Sequence, residues 1–293
     1  MSDIKNLVAI ASDASSGEVA VRAALSLARR FDCHLDVLHV RSDPTAALPL
    51  VGEAMSGAAG AEMMELAEKQ TDRRGQDARA MFDRLSAEAG LSDDAGNPLE
   101  GKLGISWIEE TGVEEQIVAS RACRADMIVI ARPTADNETS ALMTLNAALM
   151  QSGRPVWAAP PGAKAANMDA ENFKRIAVFW NGSVEATRAV AAAQPFFAAA
   201  EEVVILRVEE EEWFAPTEDL EAYLTRHNTK AVVCKVLPRE GRTGRALLAA
   251  TSEINADLMV MGAYTRSKLR QLILGSVTGY VMHEATLPVL MSH

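Results

Sequence analysis

With 293 residues and 48% hydrophobic content, the chain has enough apolar material for one large core or two ordinary ones, which excludes general disorder. Forty acidic against 29 basic residues give a net charge of -11, so no surplus of Lys and Arg exists to displace phosphate counterions, and nucleic acid is excluded as the main partner. The three cysteines, Cys33, Cys123 and Cys234, are widely spaced and form no CxxC, which excludes a disulfide framework and a zinc site.

The first residues, Met1 to Asn6, lack the basic region and apolar run of a leader. No run of about 18 apolar residues could span a bilayer, so no membrane partner and a cytoplasmic location are expected. Leu7 to Ala11 reads as a buried strand that ends in Ser12-Asp13-Ala-Ser-Ser-Gly17, a stretch rich in helix-capping residues. Glu18 to Phe31 has helical periodicity and Leu35 to Val40 is a second strand, so strand, helix and strand make a parallel pair with a crossover. Thr45 to Gly60 reads as a small-residue loop, Ala61 to Leu91 as a long charged helix, and Ser92 to Gly101 as a turn-rich joint. A strand near Ile105 to Ile108, a helix over Val113 to Cys123, a strand over Met127 to Ala131, a loop and helix over Pro133 to Ser152, and a strand over Pro155 to Ala159 follow.

Pro160 to Asn172 has no periodicity and several breakers, and reads as a linker. The pattern then restarts. Arg175 to Trp180 is a strand, Asn181-Gly-Ser183 a turn or cap, and Glu185 to Ala200 a helix. A strand over Val203 to Val208, a helix near Thr217 to His227, a strand over Ala231 to Leu237, and a helix over Thr243 to Asn255 come next. Leu258 to Met261 and Leu287 to Met291 are the last strands.

Spacing tests the repeat. Val37 matches Ile205 at an offset of 168, Asp126-Met-Ile-Val-Ile matches Asp257-Leu-Met-Val-Met at 131, and Pro155-Val-Trp matches Pro288-Val-Leu at 133. The drop to 131 puts the extra residues of the first half between its second and fourth strands. The expected fold class is therefore α/β: two tandem doubly wound, mostly parallel five-stranded sheets with flanking helices, Rossmann-like. The expected domains are 1–160, a linker at 161–173, and 174–293.

One stretch suits an anion. Gly262 closes the strand over Leu258 to Met261, basic residues Arg266 and Lys268 follow, and Gly275-Ser276 opens a helix whose free N–H groups and dipole favour negative charge. On these residues the chain resembles a tandem universal stress protein. The ATP-binding members of that family carry Gly, two residues, Gly, nine residues, and Gly-Ser/Thr after the fourth strand. Here the run is Gly262-Ala-Tyr264-Thr265, nine residues from Arg266 to Leu274, then Gly275-Ser276-Val277-Thr278, with Thr265 in place of the middle glycine. The family also uses the end of the first strand, here Trp180-Asn181 with Asn in place of its Asp, and the backbone at the end of the second, here Val208.

The resemblance implies a stress-response protein whose second half binds ATP, AMP or another adenine nucleotide, with or without Mg²⁺. Its site would comprise Trp180, Asn181, Val208, Gly262, Tyr264, Thr265, Gly275, Ser276, Val277 and Thr278. Ligand binding would then change what the surface offers a protein partner. Asn181 and Thr265 leave a second reading open, a nucleotide-free interaction module of the same fold, and a slow ATP hydrolase is a third. In the first half Ala131 stands in the place of Gly262 and no Gly-Ser precedes the last helix, so that half is expected to be degenerate despite Asp13.

Trp180 reads first as core packing and second as a base-stacking ring, and Tyr264 stands where it can flank a ligand. The run Cys33-His34-Leu-Asp36-Val-Leu-His39 invites a metal, but strand alternation puts His34 and Asp36 on one face and Cys33 and His39 on the other. Glu209 to Glu212 reads as a solvated edge more than a cation site. Gly241 to Arg245 suits a turn and helix start, with Arg242 or Arg245 within reach of phosphates, and His227, His283 and His293 read as surface groups. No Walker A or Gly-x-Ser-x-Gly elbow supplies a catalytic residue. Pairing of the two closing strands would satisfy both sheet edges within the chain, and a homodimer is a further option.

Overall fold

A computed structural model describes residues 4–43, 57–94, 102–134, 137–162, 173–208, 217–227, 229–237, 243–264 and 276–293, without the side chains of 57–60 and 276. Most of the expected linker, 163–172, lies outside the described residues, as do Glu209 to Glu212, Arg242, and Thr265 to Gly275.

The strands of the first half are β1 (Asn6–Ile10), β2 (His34–Ser42), β3 (Gly104–Gly112), β4 (Met127–Ala131) and β5 (Val156–Ala159). Those of the second are β6 (Arg175–Phe179), β7 (Glu202–Val208), β8 (Ala231–Val236), β9 (Leu258–Gly262) and β10 (Val289–Ser292). Among the described residues eight helices accompany them: α1 (Ala14–Phe31), α2 (Gly57–Ala89), α3 (Glu114–Ala122), α4 (Glu138–Gln151), α5 (Val184–Phe197), α6 (Thr217–Arg226), α7 (Thr243–Glu253) and α8 (Ser276–Glu284). Gly57 to Gly60, expected to be loop, belongs to α2. Their Gly-Ala-Ala-Gly run continues into a helix that is docked further along by Ala78, Phe82 and Leu85, and tertiary packing outweighs the poor propensity of two glycines.

All ten strands form one sheet in the order β3-β2-β1-β4-β5-β10-β9-β6-β7-β8. Within each half the pairs are parallel. The halves join where β5 meets β10 antiparallel, with Val289 opposite Ala158, Leu290 opposite Trp157 and Met291 opposite Val156. The repeat is visible in the register: Leu7 faces Met127 as Ile176 faces Leu258, and Ala9 faces Val37 as Val178 faces Ile205. The aspartates that open the matched runs do the same work in each half. Asp126 Oδ2 accepts from the amides of Lys5 and Asn6 at 2.7 and 2.9 Å, and Asp257 Oδ2 from those of Lys174 and Arg175 at 3.0 and 2.9 Å. Each clamps the start of a central strand to its neighbour.

The helices cover both faces. Leu27 of α1, Phe82 of α2, Phe196 of α5 and Leu224 of α6 share one apolar cluster, and Val118 of α3, Leu145 of α4, Leu247 of α7 and Val281 of α8 share the other. At the seam Trp157 is fully buried, 5.2 Å from the Phe196 ring and 5.4 Å from Phe173. Arg30 lies over Phe31, Phe173 and Phe196 at 5.3 to 5.7 Å, so a cation from α1 closes this aromatic group.

On the other face Arg132, which follows β4, is only 2% exposed and donates to the carbonyl of Val281 in α8 at 3.3 Å. It has no carboxylate partner among the described residues, and its Nε is buried without an acceptor. Burial pushes its pKa down to about 10. A basic group whose folded pKa is depressed opposes folding while it is charged, so the penalty is fully present below about pH 10 and fades as pH rises towards the ordinary value.

Two expectations follow from the seam. Trp157→Ala should lower the unfolding free energy by about 3–5 kcal/mol in urea denaturation, whereas Trp157→Phe, which removes the unsatisfied Nε1 along with part of the ring, should cost clearly less. Arg132→Met should raise the unfolding free energy at pH 7 by about 1 kcal/mol or more; a lower value would mean that the bond to Val281 outweighs the desolvation.

Candidate functional site

In each half the first strand feeds one neighbour while the fourth strand lies on its other side, so strand order reverses between β1 and β4 and again between β6 and β9. A crevice opens at such a point outside the carboxyl ends of the strands. The antiparallel seam sets the two crevices on opposite edges of the common sheet.

At the second-half crevice, Asn181 Oδ1 accepts from the Ser183 amide at 3.1 Å, and Ser183 caps α5 by accepting from the Ala186 amide at 3.1 Å. Gly262 ends β9 directly against this first turn. A Cβ at Gly262 would lie 2.5 Å from the Ala186 nitrogen and 2.8 Å from the Glu185 carbonyl carbon. Glycine is therefore required here for contact between strand and helix, in addition to any approach of a ligand. Thr278 of α8 is buried, Val277 packs against the second apolar cluster, and Ser276 is the first residue of that helix.

The ten candidate residues divide by role. Gly262, Asn181 and the start of α8 at Ser276, Val277 and Thr278 are brought to the same edge of the sheet as the ends of β6 and β7. The Trp180 side chain, 7% exposed, belongs to the apolar cluster of α1 and α5, which is its core-packing reading. Val208 is buried in the opposite cluster and offers the crevice its backbone alone. Tyr264 turns to the seam, where its hydroxyl donates to Asn146 Oδ1 on α4. Burial pushes that phenol up to about 12. Thr265 and Gly275 lie outside the described residues.

The first-half crevice is a shallow depression, with room for little more than a water molecule, over an apolar floor of Ile10, Ile130 and Ala131. Its walls are Ser12, Asp13, Ser16, Asn137 and Ser140. Asp13 is consumed as the cap of α1, accepting from the Ser15 and Ser16 amides at 2.8 Å. Ser12 donates to Glu114 at 2.5 Å, and Thr144 donates to the same oxygen at 2.8 Å. Among the described lining residues the wall carries a carboxylate, Asp13, and no cation. Sequence reasoning passed over Glu114, whose partners lie 102 and 30 residues away; an acid in a helix's first turn is common and carries no signal by itself.

The polar residues of the Cys33 to His39 run have separate partners. His34 Nε2 lies 3.3 Å from Asp36 and 2.9 Å from the Ser106 hydroxyl, His39 Nδ1 lies 2.7 Å from the Ala11 carbonyl, and Cys33 is buried with its thiol pushed up to about 12. No group of three potential ligands gathers among the described residues, and no described helix is long and apolar enough to cross a membrane. Of the histidines expected at the surface, His227 is exposed, His283 pairs with Glu138 of α4 at 3.3 Å, and His293 is partly buried with Nδ1 3.1 Å from the Ala263 carbonyl.

Residues 172–293 match the Universal stress protein family. No curated protein matches the chain. Among solved structures, a universal stress protein from Archaeoglobus fulgidus DSM 4304 is similar over 97% of this chain and 94% of its own, at 18% identity and a TM-score of 0.63. A putative universal stress protein from Pseudomonas aeruginosa UCBPP-PA14 is similar over 98% and 92%, at 15% identity and a TM-score of 0.53. These likenesses establish the fold over both halves. A universal stress protein in complex with cAMP is similar over 41% of this chain and 97% of its own, at 23% identity and a TM-score of 0.30.

Because Gly262 abuts α5, Gly262→Ala should destabilise the ligand-free protein by about 1–3 kcal/mol, measured by thermal or urea unfolding. An unchanged unfolding curve would assign the glycine to ligand approach alone.

Proposed function

We propose, from the premise that residues 172–293 belong to the universal stress protein family, that the second half binds an adenine nucleotide at the crevice between β6 and β9. The observation that carries this reading is the close contact of the β9 end at Gly262 with the capped first turn of α5 at the switch point, on the sheet edge where α8 also begins. In sequence that helix start is the Gly275-Ser276 pair. The amides at the start of α8 supply donors and a favourable dipole for phosphate oxygens. Asn181, held by its bond to the Ser183 amide, offers its NH₂ group to a ligand where a carboxylate would repel one. With Trp180 in the core and Tyr264 at the seam, the nucleotide is gripped by backbone and small polar groups rather than between aromatic rings.

Mg²⁺ with a bound triphosphate belongs to the same proposal. The protein acts as a regulatory module in stress response whose surface changes with ligand, and no described residue is placed as a general base for hydrolysis. Burial of Trp180 in the core and engagement of Tyr264 with Asn146 at the seam favour one alternative, an interaction module of this fold that works without nucleotide.

Calorimetric titration with ATP, ADP and AMP, with and without Mg²⁺, separates the two readings. Binding in the micromolar range is expected, and Gly275→Val should abolish it while leaving the unfolding temperature within a few degrees of wild type. No heat and no thermal shift at millimolar nucleotide would overturn the proposal.

A further inference from the structure

We infer that the first half is a brace for the second-half site, with Asn146 of α4 acting as a positioning residue through Tyr264. The inference rests on the nucleotide reading given above and adds to it the source of the site's rigidity.

Tyr264 lies two residues beyond Gly262 and has φ +63°. Asp32 and Asn255 are the other described non-glycine residues at positive φ, and both are side chains that tolerate the left-handed region. An aromatic residue there is held by its surroundings. Its hydroxyl donates to Asn146, 118 residues earlier in the chain. Its ring stands edge-on to His293 at 6.1 Å, and His293 Nδ1 meets the carbonyl of the preceding residue, Ala263, at 3.1 Å. The peptide leaving β9 is thus held by its own half at His293 and by the other half at Asn146.

The second element of the site is held from the same side. Arg132 reaches α8 at Val281, and its burial without a carboxylate is a cost that the fold carries at this contact. The contact returned to the first half is of another kind, His283 of α8 against Glu138 in the first turn of α4. At the offset of 131 Tyr264 corresponds to Pro133 and Ala263 to Arg132, and at the offset of 133 Asn146 corresponds to Gly279, so the first-half crevice receives neither contact in return. A half that lacks its own phosphate-binding glycines has instead the side chains that steady its neighbour's.

The test uses the full chain and ATP, with affinity from calorimetry and stability from thermal unfolding. Asn146→Leu and Tyr264→Phe should each weaken ATP about tenfold, and the double variant should be no weaker than either single change, since both remove one interaction. Asn146→Asp, which keeps the acceptor oxygen, should stay within about twofold of wild type. A residue of merely structural importance would lower the unfolding temperature in Asn146→Leu and leave affinity unchanged, and that result would overturn the inference. So would additive losses in the double variant. A wild-type chain that takes up no ATP at millimolar concentration would remove the nucleotide reading and the brace together, which separates that failure from a failure of the brace alone.

Discussion

The antiparallel contact between β5 and β10 is the constraint on which the rest of the molecule depends. Each half taken by itself would end in an exposed edge strand with a row of open backbone groups, a template for association. Joining the two edges inside one chain removes both and makes a single ten-stranded sheet. The contact is short, with three residue pairs given by the register, so backbone bonds alone would hold it weakly. Its strength comes from what covers it: Trp157, Phe173 and Phe196 on one face, and on the other Val281 and Met282 of α8 in the same cluster as Leu145 and Ala148 of α4. Large buried aromatic surface contributes more here than any polar contact could.

Because the seam is antiparallel, the strands of the two halves run in opposite senses and the two switch points face opposite edges. This geometry gives α4 and α8 their particular reach. Each starts at the crevice of its own half and runs across the sheet towards the far edge, where it meets a residue that follows the other half's fourth strand. Arg132 can meet α8 and Tyr264 can meet α4 for this reason. The same packing places His283 of α8 against Glu138, in the first turn of α4.

Much of the architecture was legible in the sequence because it is periodic. The offsets of 168, 131 and 133 follow from strands whose positions are fixed by register, and Asp126 and Asp257 stand at the head of the matched runs because each clamps two amides. The contacts of the candidate site were less legible, because they are set by neighbours distant in sequence. Gly262 carries a glycine's signal whether its neighbour is a phosphate or the first turn of α5. Tyr264 gives no local hint that its hydroxyl finds Asn146, and Arg132 looks like an ordinary polar residue after a strand until α8 lies over it. Trp180 had two readings of similar chemistry, and only the depth of the cluster around it decided between them.

The two crevices share a backbone plan and differ in the helix that precedes the fourth strand. The helix before the fourth strand begins in the first half with Glu114 and Glu115. Glu114 accepts from the Ser12 and Thr144 hydroxyls, which holds it next to the crevice wall at Ser12. The equivalent helix of the second half, α7, has no acid in its first turn and begins Thr243-Gly-Arg245. A carboxylate beside a phosphate in a partly desolvated crevice is repulsive by more than a single helix dipole can offset, since that dipole contributes roughly 0.3–1 kcal/mol at an exposed terminus. A phosphate at the first-half crevice would meet that repulsion from Asp13 and Glu114, whereas on the proposed reading the second-half edge offers helix amides. Ala131 in the place of Gly262 and the presence of Glu114 act in the same direction, and both support the proposal that a nucleotide would bind in the second half.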